Sequence, residues 1–195
     1  MFLPFMAGAN PASDDGLQLV CWGKNDQGQA GQGHTTTPLS SPVQVGSELW
    51  YNAKALTYTT VAVNVDGELF TFGDGASGKL GNGSVTDVSS PVQVGSLTDW
   101  KGQIGGSKST VLIIKEDGTL WGFGDNSAGQ IGDGTTVAKS SPVQIGALTT
   151  WANISSASNQ GIHGVDTAGR LWAWGEDQLG SLGLGTSGTD HSSPV

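Results

Sequence analysis

Cysteine, arginine and long apolar runs are the scarcest features of this 195-residue chain. Its only cysteine is Cys21 and its only arginine is Arg170. A single cysteine cannot form an intrachain disulfide or a cysteine-based zinc site, so Cys21 is interpreted as a small strand residue. No segment approaches the roughly 20 consecutive apolar residues of a membrane helix, and membrane insertion is therefore not expected.

Charged residues are also scarce, at 13% of the chain, and they are mostly acidic. There are 17 aspartates and glutamates against 8 lysines and arginines, which gives a formal net charge of −9. No cluster of basic residues is present. Because a protein that neutralises phosphates needs such a cluster, nucleic acid is excluded as an expected partner.

Glycine is abundant, with 32 residues, and it recurs within a repeated sequence. The period is about 50 residues, which is typical of an array of stacked supersecondary units. The four copies are LVCWGKNDQGQAGQG from Leu19, LFTFGDGASGKLGNG from Leu69, LWGFGDNSAGQIGDG from Leu120 and LWAWGEDQLGSLGLG from Leu171, each followed by Ser-Ser-Pro-Val. These glycine-rich segments lack the following helix and lysine of a phosphate-binding loop, so no nucleotide or other cofactor is expected.

Each period holds four short strand candidates and no sustained helical pattern. In the third repeat the candidates start near Gly118, Pro142, Trp151 and Gly161. Asp66-Gly67 and Asp117-Gly118 separate apolar runs, and both positions of an Asp-Gly pair tolerate positive φ. The sequence therefore predicts β-hairpins at these two pairs and a turn at Ala168-Gly169, which keeps the glycine but not the aspartate.

Aromatic residues and glycines recur at fixed repeat positions, which predicts that the aromatic rings pack between stacked sheets rather than bind a ligand. Stacking of a ligand on the rings is the alternative interpretation. The aromatic positions are Trp22, Phe72, Phe123 and Trp174, together with Trp50, Trp100 and Trp151; the glycines that end the aromatic strand are Gly23, Gly73, Gly124 and Gly175.

The combination of aromatic strand, glycine spacing, Ser-Pro-x-x-Val and Asp-Gly resembles the repeat of the regulator of chromosome condensation family. Leu120 to Gly134 and Leu171 to Gly185 match that pattern best, and the resemblance extends from Asp15 to Val195. It implies an all-β fold, a β-propeller of four-stranded blades. About three and a half repeats are present, so an incomplete ring is expected.

Members of that family act as exchange factors for the Ran GTPase, as ultraviolet-B sensors, as enzyme inhibitors and as scaffolds, so the fold does not select a function. The His-Thr pair common in the family is replaced here by Thr59-Thr60, Thr110-Val111 and Gly161-Ile162. The photoreceptor also requires arginines that this chain lacks. The recurrent Ser-Ser-Pro-Val-Gln-Val-Gly segment resembles bacterial and bacteriophage versions of the repeat.

The expected division is an N-terminal segment, residues 1–15, followed by repeats at 16–66, 67–117, 118–168 and a partial repeat at 169–195. The first segment is interpreted as disordered, as a docking peptide whose apolar residues are Phe2, Leu3 and Phe5, or as a secretory signal. Because the last repeat stops at Ser-Ser-Pro-Val, two copies are not expected to complete a seven-bladed ring. A segment of a longer chain is favoured over completion by partner subunits.

The sequence and the family resemblance lead to two alternative functions. The first is a non-enzymatic binding or structural module on a virion or bacterial surface, which presents loops to a protein, a larger assembly or a glycan. The alternative is a regulator of a soluble partner enzyme, either an inhibitor or a nucleotide-exchange factor. No catalytic or metal-binding residues are predicted. His34, His163 and His191 do not share a repeat position. A calcium site needs several converging oxygen ligands, and the other repeats have no acidic residue at the position of Asp133.

Overall fold

The computed structural model describes residues 5–7, 16–156, 160–185 and 187–195, and within these it is all-β, as the sequence predicted. Two single-turn 3₁₀ segments, Ala76–Gly78 and Gln178–Gly180, are the helical elements of the described part. The strands are β1 Phe5–Ala7, β2 Gln18–Gly23, β3 Leu39–Gln44, β4 Trp50–Ala55, β5 Thr59–Asn64, β6 Leu69–Gly73, β7 Val88–Gln93, β8 Ile104–Gly106, β9 Thr110–Ile114, β10 Leu120–Gly124, β11 Lys139–Gln144, β12 Trp151–Ser156, β13 Gly161–Asp166 and β14 Leu171–Gly175.

The strands form four antiparallel sheets, which we number along the chain. Their orders are β1-β2-β3 in the first sheet, β4-β5-β6-β7 in the second, β8-β9-β10-β11 in the third and β12-β13-β14 in the fourth. The expected repeat boundaries at 66/67, 117/118 and 168/169 fall within the hairpins β5-β6, β9-β10 and β13-β14. Each sheet therefore combines the end of one sequence repeat with the start of the next.

The same offset places the last residues of the chain beside the aromatic strand of the fourth sheet. The last residues pair with β14, since Gly175 N–H donates to His191 O at 2.7 Å and Ala173 N–H donates to Val195 O at 3.0 Å. The fourth sheet has three strands, β12, β13 and β14, and residues 191–195 lie beside β14 through an isolated bridge between Gly175 and His191. The first sheet is shorter, and β1 pairs with β2 in the place of a hairpin strand.

The hairpins predicted at Asp66-Gly67 and Asp117-Gly118 are confirmed by the pairing of β5 with β6 and of β9 with β10. Their turns differ from the prediction, because only the glycines have positive φ, 81° at Gly67 and 77° at Gly118. In the first turn Asn64 Oδ1 accepts hydrogen bonds from the N–H groups of Asp66 and Glu68. A side-chain acceptor thus stabilises the turn in place of a second left-handed residue.

A buried lysine occupies this turn position in the third sheet. Lys115 lies where the second sheet has Asn64, and its Nζ lies 4.3 Å from the Trp100 ring centroid and 4.5 Å from that of Trp121. The same ammonium pairs with Asp99 Oδ1 at 2.8 Å. Two aromatic faces and one carboxylate therefore compensate the burial of this charge.

Three apolar clusters hold the sheets together, one at each junction. The first joins Leu19 and Val45 to Trp50 and Phe72 of the second sheet. The other two have the same arrangement, with Trp100 and Phe123 at the second junction and Trp151 and Trp174 at the third. Cys21 lies in the first cluster, where burial raises the pKa of its thiol to about 12 and keeps it a neutral core residue.

Candidate protein-interaction surface

Four glycine-rich loops lie at one end of the sheets, and we call them the glycine loops. They follow the aromatic strand of each sheet and comprise residues 24–38, 74–87, 125–138, and 176–185 with 187–190. The opposite end carries the Asp-Gly turns and the connections between sheets. Loops on a fixed β-scaffold are the usual location of binding residues, so the glycine loops are the first candidate surface.

A buried asparagine organises the first and third glycine loops. Asn25 Nδ2 donates to His34 O at 2.9 Å, and Asn25 Oδ1 accepts from Ala30 N–H at 2.9 Å. Asn126 repeats both contacts, donating to Thr135 O at 2.9 Å and accepting from Ile131 N–H at 2.8 Å. These amides satisfy backbone groups that would otherwise be unpaired, so they fix the loop conformation.

Each glycine loop also contacts the next sheet, through what we call the glycine–serine junction. A glycine N–H donates to the first serine carbonyl of the next Ser-Ser-Pro-Val segment at 2.7 Å. The three bonds are Gly33 to Ser89, Gly83 to Ser140 and Gly134 to Ser192. An aromatic ring of the next sheet lies on another glycine of the loop, where an added Cβ at Gly81 would be 2.8 Å from Phe123. The loop positions that face the next sheet therefore have no room for a side chain.

The tips of these loops expose large apolar side chains. Val85 is 65% exposed, Val137 is 64% exposed and Leu179 is 93% exposed. The second and fourth glycine loops also carry exposed aspartates, Asp87 and Asp190. An apolar side chain held on a fixed loop has little conformational entropy to lose on binding, so these tips are candidate contact points for a protein partner.

The fourth glycine loop carries an aspartate, Asp177, where the first and third loops have asparagine. Asp177 is fully buried, and its Oδ1 accepts from Leu182 N–H at 3.1 Å. Its Oδ2 has no hydrogen-bond donor among the described residues. A carboxylate cannot donate to loop carbonyls as Asn25 and Asn126 do, so this oxygen is left buried and unsatisfied.

Replacing Asp177 with asparagine is expected to stabilise the protein by about 1–2 kcal/mol, because the amide supplies the missing donor and removes the unsatisfied oxygen. Urea denaturation followed by circular dichroism measures this change. The matched control is the reverse substitution, Asn126→Asp in the third loop, which is expected to destabilise by a similar amount. Equal losses from both substitutions would contradict this account of the loop.

The structure places the predicted aromatic positions at the sheet junctions. Phe72, Phe123 and Trp174 are fully buried, as are Trp50, Trp100 and Trp151 within a few per cent, whereas Trp22 of the first sheet is half-buried. The glycines that end the aromatic strands, Gly23, Gly73, Gly124 and Gly175, all have positive φ, between 89° and 113°. Phe2 and Leu3 lie outside the described residues, and Phe5 belongs to β1, so their proposed docking role stays a prediction.

No group of three or more metal-ligating side chains occurs in residues 16–156, 160–185 and 187–195. The structure does not bring His34, His163 and His191 together as one site. Burial alone would raise the pKa of Asp133, but hydrogen bonds from Lys139 and Thr135 outweigh it and hold that pKa below its usual value. Asp133 is thereby occupied as the partner of Lys139, with Nζ and Oδ2 2.9 Å apart.

An open groove of about 290 Å³ lies between the third and fourth sheets. Its walls include Ile145, Leu148, Trp151, Trp172 and Pro194. Trp172 is held in place, because its Nε1 donates to Asp166 Oδ2 at 3.2 Å. The lining is mostly apolar, and Asp133, the titratable side chain in it, is paired with Lys139.

Residues 66–113 and 117–160 match the profile described as "Regulator of chromosome condensation (RCC1) repeat". The chain belongs to the RCC1 repeat family. It is 30% identical over 181 residues to the E3 ubiquitin-protein ligase HERC2 of Mus musculus, a match that covers 87% of this chain and 4% of HERC2. It is 29% identical over 180 residues to the ultraviolet-B receptor UVR8 of Arabidopsis thaliana, covering 90% of this chain and 40% of UVR8.

Solved structures of RCC1-like β-propellers confirm the predicted all-β propeller fold. The Saccharomyces cerevisiae protein Prp20p superposes with a TM-score of 0.80 at 19% identity, over 92% of this chain and 46% of that chain. Human WBSCR16 gives a TM-score of 0.73 at 20% identity, over 94% of this chain and 47% of that chain. The chain thus spans less than half the length of the relatives and neighbours named here.

The comparisons correct part of the expected origin. The relatives of this RCC1-repeat chain named above are a mouse ligase and a plant receptor, and the bacterial, bacteriophage, virion and adhesion assignments find no support. They favour the alternative, a regulatory or binding protein. In the described residues no helix is long and apolar enough to span a bilayer.

Sequence reasoning missed Val85, Val137 and Leu179, which stand out in sequence only as apolar residues within polar loops.

Proposed function

We propose that this chain is a non-enzymatic, protein-binding regulator that recognises a basic partner through its glycine loops. The observation that carries the proposal is the exposure of Val85 and Val137 on neighbouring loops that the glycine–serine junctions hold in place. Side chains of this kind bury apolar area against a partner without a large ordering cost. The structured loops therefore act as a preformed contact surface.

Charge supports a basic partner. The chain has a net charge of −9, and Asp87 and Asp190 are exposed on the loops that carry Val85 and Leu179. Complementary charge raises the rate of association and selects against acidic proteins. The neighbour Prp20p is described by its binding to Gsp1p and histones, which supports a protein-binding role for this fold. Histones are the natural basic probe for this chain.

Binding to core histones is expected to weaken about tenfold or more when Val85 and Val137 are both replaced by serine, because both apolar contacts are lost. Biolayer interferometry with immobilised chain measures the dissociation constant. The matched control is Leu97→Ser, which removes an exposed leucine from the connection at the opposite end of the sheets.

A stronger effect of Leu97→Ser than of the valine pair would contradict the proposed surface. No binding below about 100 μM to core histones or to Gsp1p would contradict the proposed partner class. A Kd that does not rise with salt concentration would contradict the contribution of charge. These three measurements separate the surface, the partner and the electrostatic contribution.

A further inference from the structure

Asn82-Gly83 is the one Asn-Gly pair in the sequence, and it lies in the middle of the three glycine–serine junctions. The same loop position holds Gln32-Gly33 in the first loop and Asp133-Gly134 in the third. The carboxamide carbon of an asparagine reacts with the backbone nitrogen of the next residue, and glycine hinders this attack least because it has no Cβ. The junction between the second and third sheets therefore contains a reactive pair.

The side chain of Asn82 is turned back towards the peptide bond that reacts. Asn82 Oδ1 accepts from Ser84 N–H at 3.0 Å, a hydrogen bond that closes a turn around Gly83. The carboxamide carbon is thereby held beside the Gly83 nitrogen. Gly83 is exposed, and an added Cβ there would meet no heavy atom within 4 Å, so water has access to the pair.

One hydrogen bond opposes the reaction while the junction is closed. Gly83 N–H donates to Ser140 O of the third sheet at 2.7 Å. The nitrogen attacks only after base has removed its hydrogen and the peptide has rotated towards the carboxamide. Both steps break the bond to Ser140, and a local opening of packed structure costs free energy. Asn82 is therefore protected while the second and third sheets are packed together.

The products of the reaction do not fit the second loop as well as asparagine does. In the third loop Asp133 Oδ2 pairs with Lys139 Nζ at 2.9 Å. Val88 has the repeat position of Lys139 in the second sheet, so a carboxylate at position 82 lacks this lysine. An isoaspartate lengthens the main chain by one methylene carbon, which displaces the following N–H from Ser140 O.

We propose that Asn82 is a deamidation site and that the glycine–serine junction between the second and third sheets controls its rate. When the junction opens, the Gly83 nitrogen loses its proton to solvent base and bonds to Asn82 Cγ, and the carboxamide nitrogen leaves as ammonia to give a succinimide. Water then opens the ring at either carbonyl and produces aspartate or isoaspartate, with no change of oxidation state. The isoaspartate loosens the loop that carries Val85, whatever that loop binds.

Mass spectrometry of the full chain after incubation in mildly alkaline buffer measures the reaction, because the tryptic peptide 80–101 contains Asn82 as its one asparagine. Deamidation is expected to be at least about tenfold slower in the native protein than in urea-unfolded protein, since the junction must open first. Asn82→Gln is expected to remove almost all of the mass change. Equal rates in native and unfolded protein, or no reaction of Asn82 in urea, overturn the proposal.

Urea concentrations below the unfolding transition distinguish local opening from global unfolding. The rate is expected to rise only weakly with urea in this range, because opening one junction exposes much less surface than unfolding the chain. A rate that follows the full urea dependence of global unfolding at every concentration overturns control by the junction.

Two glycines of the second sheet provide a matched pair of variants. At Gly78 an added Cβ would lie 2.6 Å from Ser140 Cα, whereas at Gly95 it would meet no heavy atom within 4 Å. With folding checked by circular dichroism, Gly78→Ala is expected to deamidate at Asn82 several-fold faster than Gly95→Ala, because it pushes the third sheet away from the loop. Equal rates overturn control by the junction. An isoaspartate fraction with the urea midpoint of unreacted protein overturns the effect on the loop.

Discussion

Replacing Phe123 with alanine is expected to destabilise the protein by about 3–5 kcal/mol, the range for truncating a buried phenylalanine. Phe123 is fully buried between the second and third sheets, in the cluster that also holds Val61, Val63 and Trp100. Its ring lies on Gly81, where no side chain can move in to fill the space. The cavity therefore persists, and urea denaturation followed by tryptophan fluorescence measures the loss.

Two controls separate the cavity from a general effect of losing an aromatic residue. Phe123→Leu keeps most of the volume and is expected to cost less than about 1.5 kcal/mol. Tyr51→Ala removes a ring that is half-exposed on β4 and is expected to cost less than about 1 kcal/mol. A similar loss from all three substitutions would show that Phe123 does not hold the two sheets together.

Replacing Gly78 with alanine is expected to cost about 2–5 kcal/mol, the sum of left-handed backbone strain and overpacking. Gly78 has a φ of 76°, and an added Cβ would lie 2.6 Å from Ser140 Cα and 2.8 Å from Lys139 O. Both neighbours are backbone atoms, so relief requires the third sheet to move away from the second. Thermal and urea denaturation both report the loss.

Gly95 provides the matched control for this substitution in the same sheet. Its φ is 66°, and an added Cβ meets no heavy atom within 4 Å. Gly95→Ala therefore introduces the strain without the collision, and about 1–2 kcal/mol is expected. Equal losses at the two positions would mean that the close approach at the glycine–serine junction does not contribute to stability.

The sequence predicted the elements of this fold because each depends on neighbouring residues. Asp66-Gly67 and Asp117-Gly118 mark hairpins through local turn chemistry, and the strands of the third repeat lie where the apolar runs do. The grouping of strands into sheets was not predictable in the same way. The grouping depends on pairing between segments such as β6 and β7. A periodic sequence does not show at which strand one sheet ends and the next begins.

The candidate surface was only partly predictable. The glycine loops were visible as recurrent glycines, and the difference between Asn25, Asn126 and Asp177 can be read from the aligned repeats. The exposure of Val85 and Val137 was not visible, because it depends on where the loop tip lies relative to the next sheet. Likewise, Leu171 resembles Leu120 in sequence and differs from it only in what packs against it.

The offset between sequence repeats and sheets determines how fragments and chimeras of such proteins should be delimited. A fragment cut at the sequence boundaries, residues 67–117, contains half of one blade and half of the next. A fragment from Gly95 to Gly146 contains β8, β9, β10 and β11 as one complete blade, and both cut points lie in uncrowded connections. Blades can be transplanted as whole units only when the cuts follow the outer strand.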